Sequence, residues 1–494
     1  MADMEHRSFP ITKESGLTCG KYNTKRRRSG SNFRRIRQRQ LDFQSIVAWK
    51  INIQSLPEDI VLRIVSKLSL KEAAQTSVLS SMWRQAWTYH PNLYFGIERV
   101  LGNNAKRRVM DSSLTNRMLA TNKFIQRVDA ILKNHWGTQV NKLAVKFGLS
   151  MEQANHIDRW VSFAITSKAR IVTLNFSPNR SPYDSNNYDF PFQLFDGRNG
   201  SSLQALRLDS VSLNPPLDFC GFANLKALAL DFVTVWQDLQ HLLSKCCVLE
   251  WLSIRMCSRL SYLRVPEPLC RLQFLCVQDC AFRNIEFNAP NLTTFEYRGP
   301  PTLMNFKECW KLKTTTIRLN VKHTLKHVLT GIPSMLPHVE NLCAELLIGT
   351  EMFGFTQSPH KFVRLRHLAM KLNFWGGTNS VFQLAYLFEA APLLEDLHLQ
   401  MLHLNSIDPI DLDDIMDVPH YHLKVVYMTG FCGNGGQVEL AKYILNNALI
   451  LEHLILKPSG KLNGSTSTMD ELIARKEANK KLVPLDMDGV LTIL

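Results

Sequence analysis

LQALRL (residues 203–208), LKALAL (225–230), LEWLSI (249–254) and LQFLCV (272–277) share one frame, L-x-x-L-x-L, at spacings of 22, 24 and 23 residues. A spacing of two puts the last two apolar side chains on one side of an extended strand, and the leading leucine seals the turn before it. One such unit is too short to bury its own apolar face, so units must stack side by side and share a core. Looser copies follow at Leu292, Phe295, Tyr297; Val339, Leu342, Ala344; Leu365, Leu368, Met370; Leu394, Leu397, Leu399; Leu423, Val426, Met428; and Leu451, Leu454, Leu456. A weak copy rests on Ile317 and Leu319, and Val140, Leu143, Val145 and Ala169, Val172, Leu174 extend the frame upstream. About thirteen copies predict an α/β solenoid shaped as a horseshoe, with short parallel strands on its concave side.

Longer copies carry amphipathic helical segments that belong on the convex side: MEQANHIDRWVSFAIT, WQDLQHLLSKCCVLE, SVFQLAYLFEAAPLLED and GQVELAKYILNNALILEH. Trp160, Phe163, Ala164 and Leu440, Tyr443, Ile444 are expected to face the sheet. The eighth position of a repeat takes a side chain that satisfies backbone groups in the turn, and Cys257, Cys280 and Asn373 stand there. That gives these cysteines a structural role rather than metal or redox chemistry.

Ahead of the repeats, residues 53–90 hold three short helical patterns. Pro57 suits a first helical turn and Glu58 and Asp59 suit its positive end, while Ile60, Ile64 and Leu68, with Leu62 and Val65, form a stripe. Trp83 and Trp87 share a face four residues apart. Three helices this small cannot bury a sufficient core alone. A further stripe, Phe124, Val128, Ile131 and Leu132, marks a helix joining this module to the repeats.

The segment LPEDIVLRIVSKLSLKEAAQTSVLSSMWRQAW (56–87) resembles an F-box, with one departure at Met82. HIDRWVSFAI, PFQLF and the terminal LKVVYMTGFCGNGGQVELAKYILNNALILEHLIL are similar to plant F-box proteins with leucine-rich repeats and a C-terminal FBD-type segment. The resemblance implies a substrate receptor of SCF-type ubiquitin ligases, docked on a Skp-type adaptor and through it a cullin. By motif position the adaptor-binding residues are Leu56, Pro57, Ile60, Ile64, Leu68, Leu70, Ala73, Val78 and Trp83; Leu62, Val65 and Trp87 are expected to hold the helices together instead. The organisation expected is a basic disordered tail (1–50), an F-box (51–96), a helical linker (97–135), a leucine-rich-repeat solenoid (136–420), FBD-like repeats (421–458) and a polar tail (459–494).

The 494 residues are 45% hydrophobic and 20% charged, as in a folded protein. No apolar run approaches the roughly 20 residues of a membrane span, and MADMEHRSFPITKESG has no signal-peptide core, so a nuclear or cytoplasmic protein without membrane contact is expected. Eleven cysteines without a CxxC pair point to neither disulfides nor zinc. Of the net charge of +15, residues 1–50 carry a large share, with 12 Lys/Arg against 4 Asp/Glu. Lys25, Arg26, Arg27, Arg28, Arg34, Arg35, Arg37 and Arg39 form a candidate nuclear-import signal; nucleic-acid contact is the lesser reading, since only Phe33 interleaves.

Signals for catalysis are missing. GFCGNGGQ (430–437) has Gly436 and Gln437 where a phosphate loop needs Lys and Ser/Thr, so it reads as a tight turn into a helix. DPIDLDDIMD (408–417) lacks the glycine and terminal glutamate of a calcium loop, and His420 and His422 beside Asp417 read as a surface loop. No cofactor or catalytic residue is expected. The alternatives are a receptor whose solenoid holds a small ligand, for which Arg207, Lys226, Trp251 and Arg264 are too varied to define one pocket, and a repeat scaffold without ligase function.

Overall fold

The computed structural model describes residues 56–494 apart from 103–113, 137–139, 178–185, 196–198, 237–238, 266, 322–329, 349–359, 375–378, 403–418, 459–460, 463–464 and 467. The import candidates Lys25 to Arg39 and the acidic stretch 408–417 lie outside the described residues.

Among the described residues one parallel sheet has 15 strands in chain order. They are β1 (Asn92–Gly96), β2 (Lys142–Lys146), β3 (Ile171–Asn175), β4 (Ala205–Asp209), β5 (Ala227–Asp231), β6 (Trp251–Arg255), β7 (Phe274–Gln278) and β8 (Thr294–Gly299). Then come β9 (Thr314–Leu319), β10 (Asn341–Ile348), β11 (His367–Phe374), β12 (Asp396–Leu402), β13 (Val425–Phe431), β14 (His453–Pro458) and β15 (Leu491–Ile493). The four strict hexapeptides pair in register, Leu206 beside Leu228, Leu228 beside Leu252 and Leu252 beside Leu275. Their leucines, with the leading Leu203, Leu225, Leu249 and Leu272, are buried in one continuous core.

A recurring turn keeps this register. Ser210, Phe232, Met256 and Asp279 each follow a strand in the left-handed region, with φ between 49° and 57°. Their N–H groups donate to the carbonyls of Asp231, Arg255, Gln278 and Arg298 at the end of the next strand, at 3.1, 2.9, 2.8 and 2.7 Å. The strained residue therefore extends the ladder by one rung instead of leaving an orphan donor. Behind the next turn, Cys257 and Cys280 are buried, and Cys257 N–H points at Cys280 Sγ at 3.4 Å. Burial pushes the Cys257 thiol well above its ordinary range, as befits a packed side chain.

The second layer departs from an all-helical expectation. Helices Ala154–Thr166 and Gly435–Asn447 bury Trp160, Ala164, Leu440, Tyr443 and Ile444 as expected. Short strands also stand in the second layer, in two three-stranded parallel sheets built from Tyr188–Asp189, Val211–Leu213, Thr234–Val235 and from Tyr262–Val265, Asn284–Asn288, Leu303–Lys307, and the repeat that begins at Leu225 holds both a short strand and the expected helix, Leu239–Ser244.

Several expectations need correction. The sheet starts at β1, inside the span assigned to the F-box, and ends at β15, inside the supposed polar tail. Helix Thr468–Lys481 and the turn after it bury Ala474, Ala478 and Leu482 completely, so the C-terminal segment is part of the fold. The weak copy is Leu312, Thr315, Ile317: Phe295 pairs with Thr315 and Tyr297 with Ile317. Asn373 lies within β11 between Leu347 and Leu402, not in a turn. His420 is buried rather than in an exposed loop; its Nδ1 accepts from Leu423 N–H at 3.1 Å, which leaves Nε2 to donate to the Ala391 carbonyl at 3.1 Å.

Candidate functional site

Two surfaces stand out, the N-terminal helices and the open face of the sheet. Helix α1 (Glu58–Val65) starts at Pro57, whose carbonyl accepts from Val61 N–H at 3.0 Å. Helix α2 (Leu70–Gln75) begins with a capping box: Ser69 Oγ accepts from Glu72 N–H at 3.3 Å and Glu72 returns an acceptor to Ser69 N–H at 2.8 Å. Those bonds hold the Glu72 carboxyl below the usual carboxylate range. Helix α3 (Ser81–Ala86) is capped by Ser80. Together they enclose a small separate core of Val61, Val65, Ala73, Trp83 and Ala86, with Leu56, Leu62, Leu68, Leu79 and Trp87 packed around it.

The nine motif residues therefore divide. Pro57, Ile60, Ile64 and Val78 are exposed, Val78 by 88%. Ile60 and Ile64 are one helical turn apart on α1, facing away from the buried Val61 and Val65 stripe. Leu56 and Leu68 are half-buried against the module core, while half-buried Leu70 packs on the core of the sheet. Ala73 and Trp83, at 0% and 2% exposure, are interior, so their assignment to the docking surface is corrected: they brace the helices.

The module is fastened to the sheet by two histidines that sequence reading passed over. His90 Nδ1 accepts from Asn92 N–H at 3.1 Å, which leaves Nε2 to donate to the Leu68 carbonyl at 3.0 Å. His135 Nε2 lies 3.0 Å from the His90 carbonyl, and burial depresses its pKa. The chain thus runs from α3 into β1 with side-chain bonds on both flanks of the joint.

On the sheet, residues between the buried positions form three rows across the open face. One row reads Lys142, Ile171, Ala205, Ala227, Trp251, Phe274; its Trp251 and Phe274 rings stack at 5.3 Å with planes 4° apart. A second row ends β4 to β6 with Asp209, Asp231 and Arg255. Arg207 and Arg255 reach Asp231 at 3.2 and 3.1 Å. Asp209 accepts from Asn175 Nδ2 at 2.7 Å, yet burial and then the nearby Asp231 charge push its pKa up to about 6. Arg207 and Trp251 belong to this face; Arg264 does not, since it lies on the second-layer sheet and pairs with Glu286 at 3.3 Å.

GFCGNGGQ is a closed turn. Gly430 and Gly433 take φ values of 74° and 78°, Asn434 caps the helix by accepting from Gly436 N–H at 2.9 Å, and buried Gln437 donates to the Gly430 carbonyl at 2.9 Å. The loop's polar groups are spent on one another. No described helix is long and apolar enough to cross a membrane.

Family comparisons agree with this division. Residues 53–95 match the F-box domain, and residues 131–482, well over half of the chain, match the At1g61320/AtMIF1 LRR domain. The F-box/FBD/LRR-repeat protein At1g13570 of Arabidopsis thaliana is 24% identical over 441 residues, 85% of this chain and 94% of its own. The F-box/FBD/LRR-repeat protein At5g56420 is 23% identical over 84% of this chain and 93% of its own, and the F-box/LRR-repeat protein At3g59210 is 28% identical over 50% and 48%, both from the same plant. With a matching F-box ahead of a matching repeat array, the chain belongs to the At1g61320/AtMIF1 leucine-rich-repeat family and carries an F-box domain.

Proposed function

We propose that the chain is the substrate-recognition subunit of an SCF-type cullin E3 ubiquitin ligase. The F-box docks on a Skp-type adaptor and through it a cullin, the open face of the sheet binds a target protein, and ubiquitin transfer takes place on a neighbouring subunit. The contribution to rate is proximity: a target lysine held near the charged ubiquitin carrier reacts in a local rather than a bimolecular encounter.

The observation that carries this reading is the exposure of Pro57, Ile60, Ile64 and Val78 on a module whose own core is already filled by Val61, Val65, Ala73, Trp83 and Ala86. Apolar side chains left outside a completed core are available to a partner surface. The joint through His90 and His135 supports it, because a receptor works by geometry only if its two surfaces are held together. Capture of a purified Skp-type adaptor tests the reading: Ile60→Glu with Ile64→Glu, or Leu56→Ala with Pro57→Ala, is expected to abolish capture while the melting curve of the repeats stays unchanged. Equal capture by the variants overturns it. For the basic cluster Lys25 to Arg39 we propose nuclear import, checked by whether replacing Arg26, Arg27 and Arg28 with alanine shifts a fluorescent fusion to the cytoplasm.

A further inference from the structure

Among the described residues the cations on the open face of β4 to β13 stand against acids, and those of β2 do not. From β4 to β13 the cations meet acids across or beside the strands: Arg207 and Arg255 on Asp231, Arg298 on Asp279 at 3.2 Å, and Arg318 and Lys371 on Glu345 at 3.4 and 2.7 Å. The edge just before the strands repeats the pattern, with Lys226 on Glu250 at 3.3 Å, Lys313 on Glu340 at 3.4 Å, and Arg366 and Lys424 on Glu395. On β2 the pattern stops. Lys142 and Lys146 alternate with buried Leu143 and Val145, so both lie on the open face, with only Ala144 between them.

Their cross-strand neighbours are Asn92 and Gly96 on β1 and Ile171 and Asn175 on β3, none of them acidic. Neither lysine has an ion-pair partner among the described residues, and neither does Arg170 at the edge of β3. Lys142 is also half-buried, and burial followed by the neighbouring Arg207 charge depresses its pKa. Like charges crowded without a counter-ion cost free energy unless a ligand supplies one.

The row that starts at Lys142 says what shape the ligand has. It runs over Ile171, Ala205 and Ala227 to the stacked Trp251 and Phe274. Four strand spacings of about 4.8 Å make roughly 19 Å, the reach of about six extended residues. We propose that this row binds an extended acidic segment of the captured protein, its carboxylates on Lys142 and Lys146 and an apolar side chain about six residues away on Trp251 and Phe274. The proposal rests on the receptor reading and names the chemistry of its target. A nucleic-acid duplex, with a charge about every 1.7 Å, calls for a continuous cationic stripe, whereas here the open-face cations of β4 to β13 are already paired.

The test uses the full chain and a fluorescein-labelled peptide of three glutamates followed, six residues on, by leucine, read by anisotropy at low and high salt. Binding is expected to weaken at least tenfold in Lys142→Gln/Lys146→Gln, to weaken with salt in the wild type only, and to be unchanged in Lys371→Gln, whose lysine is already paired. A peptide with glutamine for glutamate is expected not to bind. Absence of peptide binding, equal binding by the double variant, or stronger competition by a single-stranded oligonucleotide overturns the proposal. Adaptor capture by the same double variant is expected to stay intact, so loss of the peptide site and failure of the receptor reading give separate signatures.

Discussion

Trp83 and Ile60 belong to the same small module and differ by which side of it they occupy. Trp83 fills the core, so Trp83→Ala is expected to cost about 3 to 5 kcal/mol of the module's stability, seen as early proteolysis between residues 56 and 90. Ile60→Ala removes an exposed side chain and is expected to cost less than about 1 kcal/mol while weakening adaptor capture. Asp209 gives a pH signature. Its pKa is raised by burial and by Asp231, so its favourable contribution is complete below the unfolded value and is lost as pH rises through about 6. Asp209→Asn is therefore expected to stabilise the protein by about 1 kcal/mol at pH 7.5 and by nothing near pH 4, since the amide keeps one acceptor for Asn175 and Ser177. Thermal melts across that range check it, and a gain that persists at pH 4 contradicts the assignment.

At the scale of elements, the repeat is a strand, a left-handed turn residue and a connection that adapts to its length. The strand was legible because two apolar residues at a spacing of two can serve only one face. The connection was legible only where it was long enough for helical periodicity, as in Ala154–Thr166; the short strands of the second layer, two to five residues each, carry too little pattern to see. Thr315 hid one strand by replacing the expected apolar residue, although it is fully buried and its hydroxyl has no hydrogen-bond partner among the described residues. The turn into helix Gly435–Asn447 offers a sharp test. At Gly430, with φ of 74°, a Cβ would fall 1.8 Å from the Met401 carbonyl oxygen of the neighbouring strand. Gly430→Ala is expected to lower stability by about 3 kcal/mol or more, whereas Gly489→Ala, equally left-handed but with open space around it, should cost about 1 kcal/mol. Denaturation midpoints of the two variants decide it.

For the whole molecule, a stack of repeats is as stable as its nearest-neighbour interfaces, and its ends need covers. Helix Thr468–Lys481 and β15 cover the last repeat, β15 pairing with Leu454 to Leu456. Ending the chain after Pro458 is expected to expose that surface, lower the melting temperature and produce aggregates in size-exclusion chromatography; a monomeric, equally stable truncation would show the segment to be dispensable. The sequence by itself determined the repeat, its register over most copies and the F-box, because these are local patterns in which side-chain period and chain geometry coincide. Only the tertiary structure decided which motif residues point outward, that β1 and β15 stand at the two ends of the sheet, and that among the described residues Lys142 and Lys146 lack acids of the kind that answer the cations of β4 to β13. Those facts depend on what stands one strand away, about 4.8 Å in space but 20 to 50 residues along the chain, and no pattern within a single strand contains them.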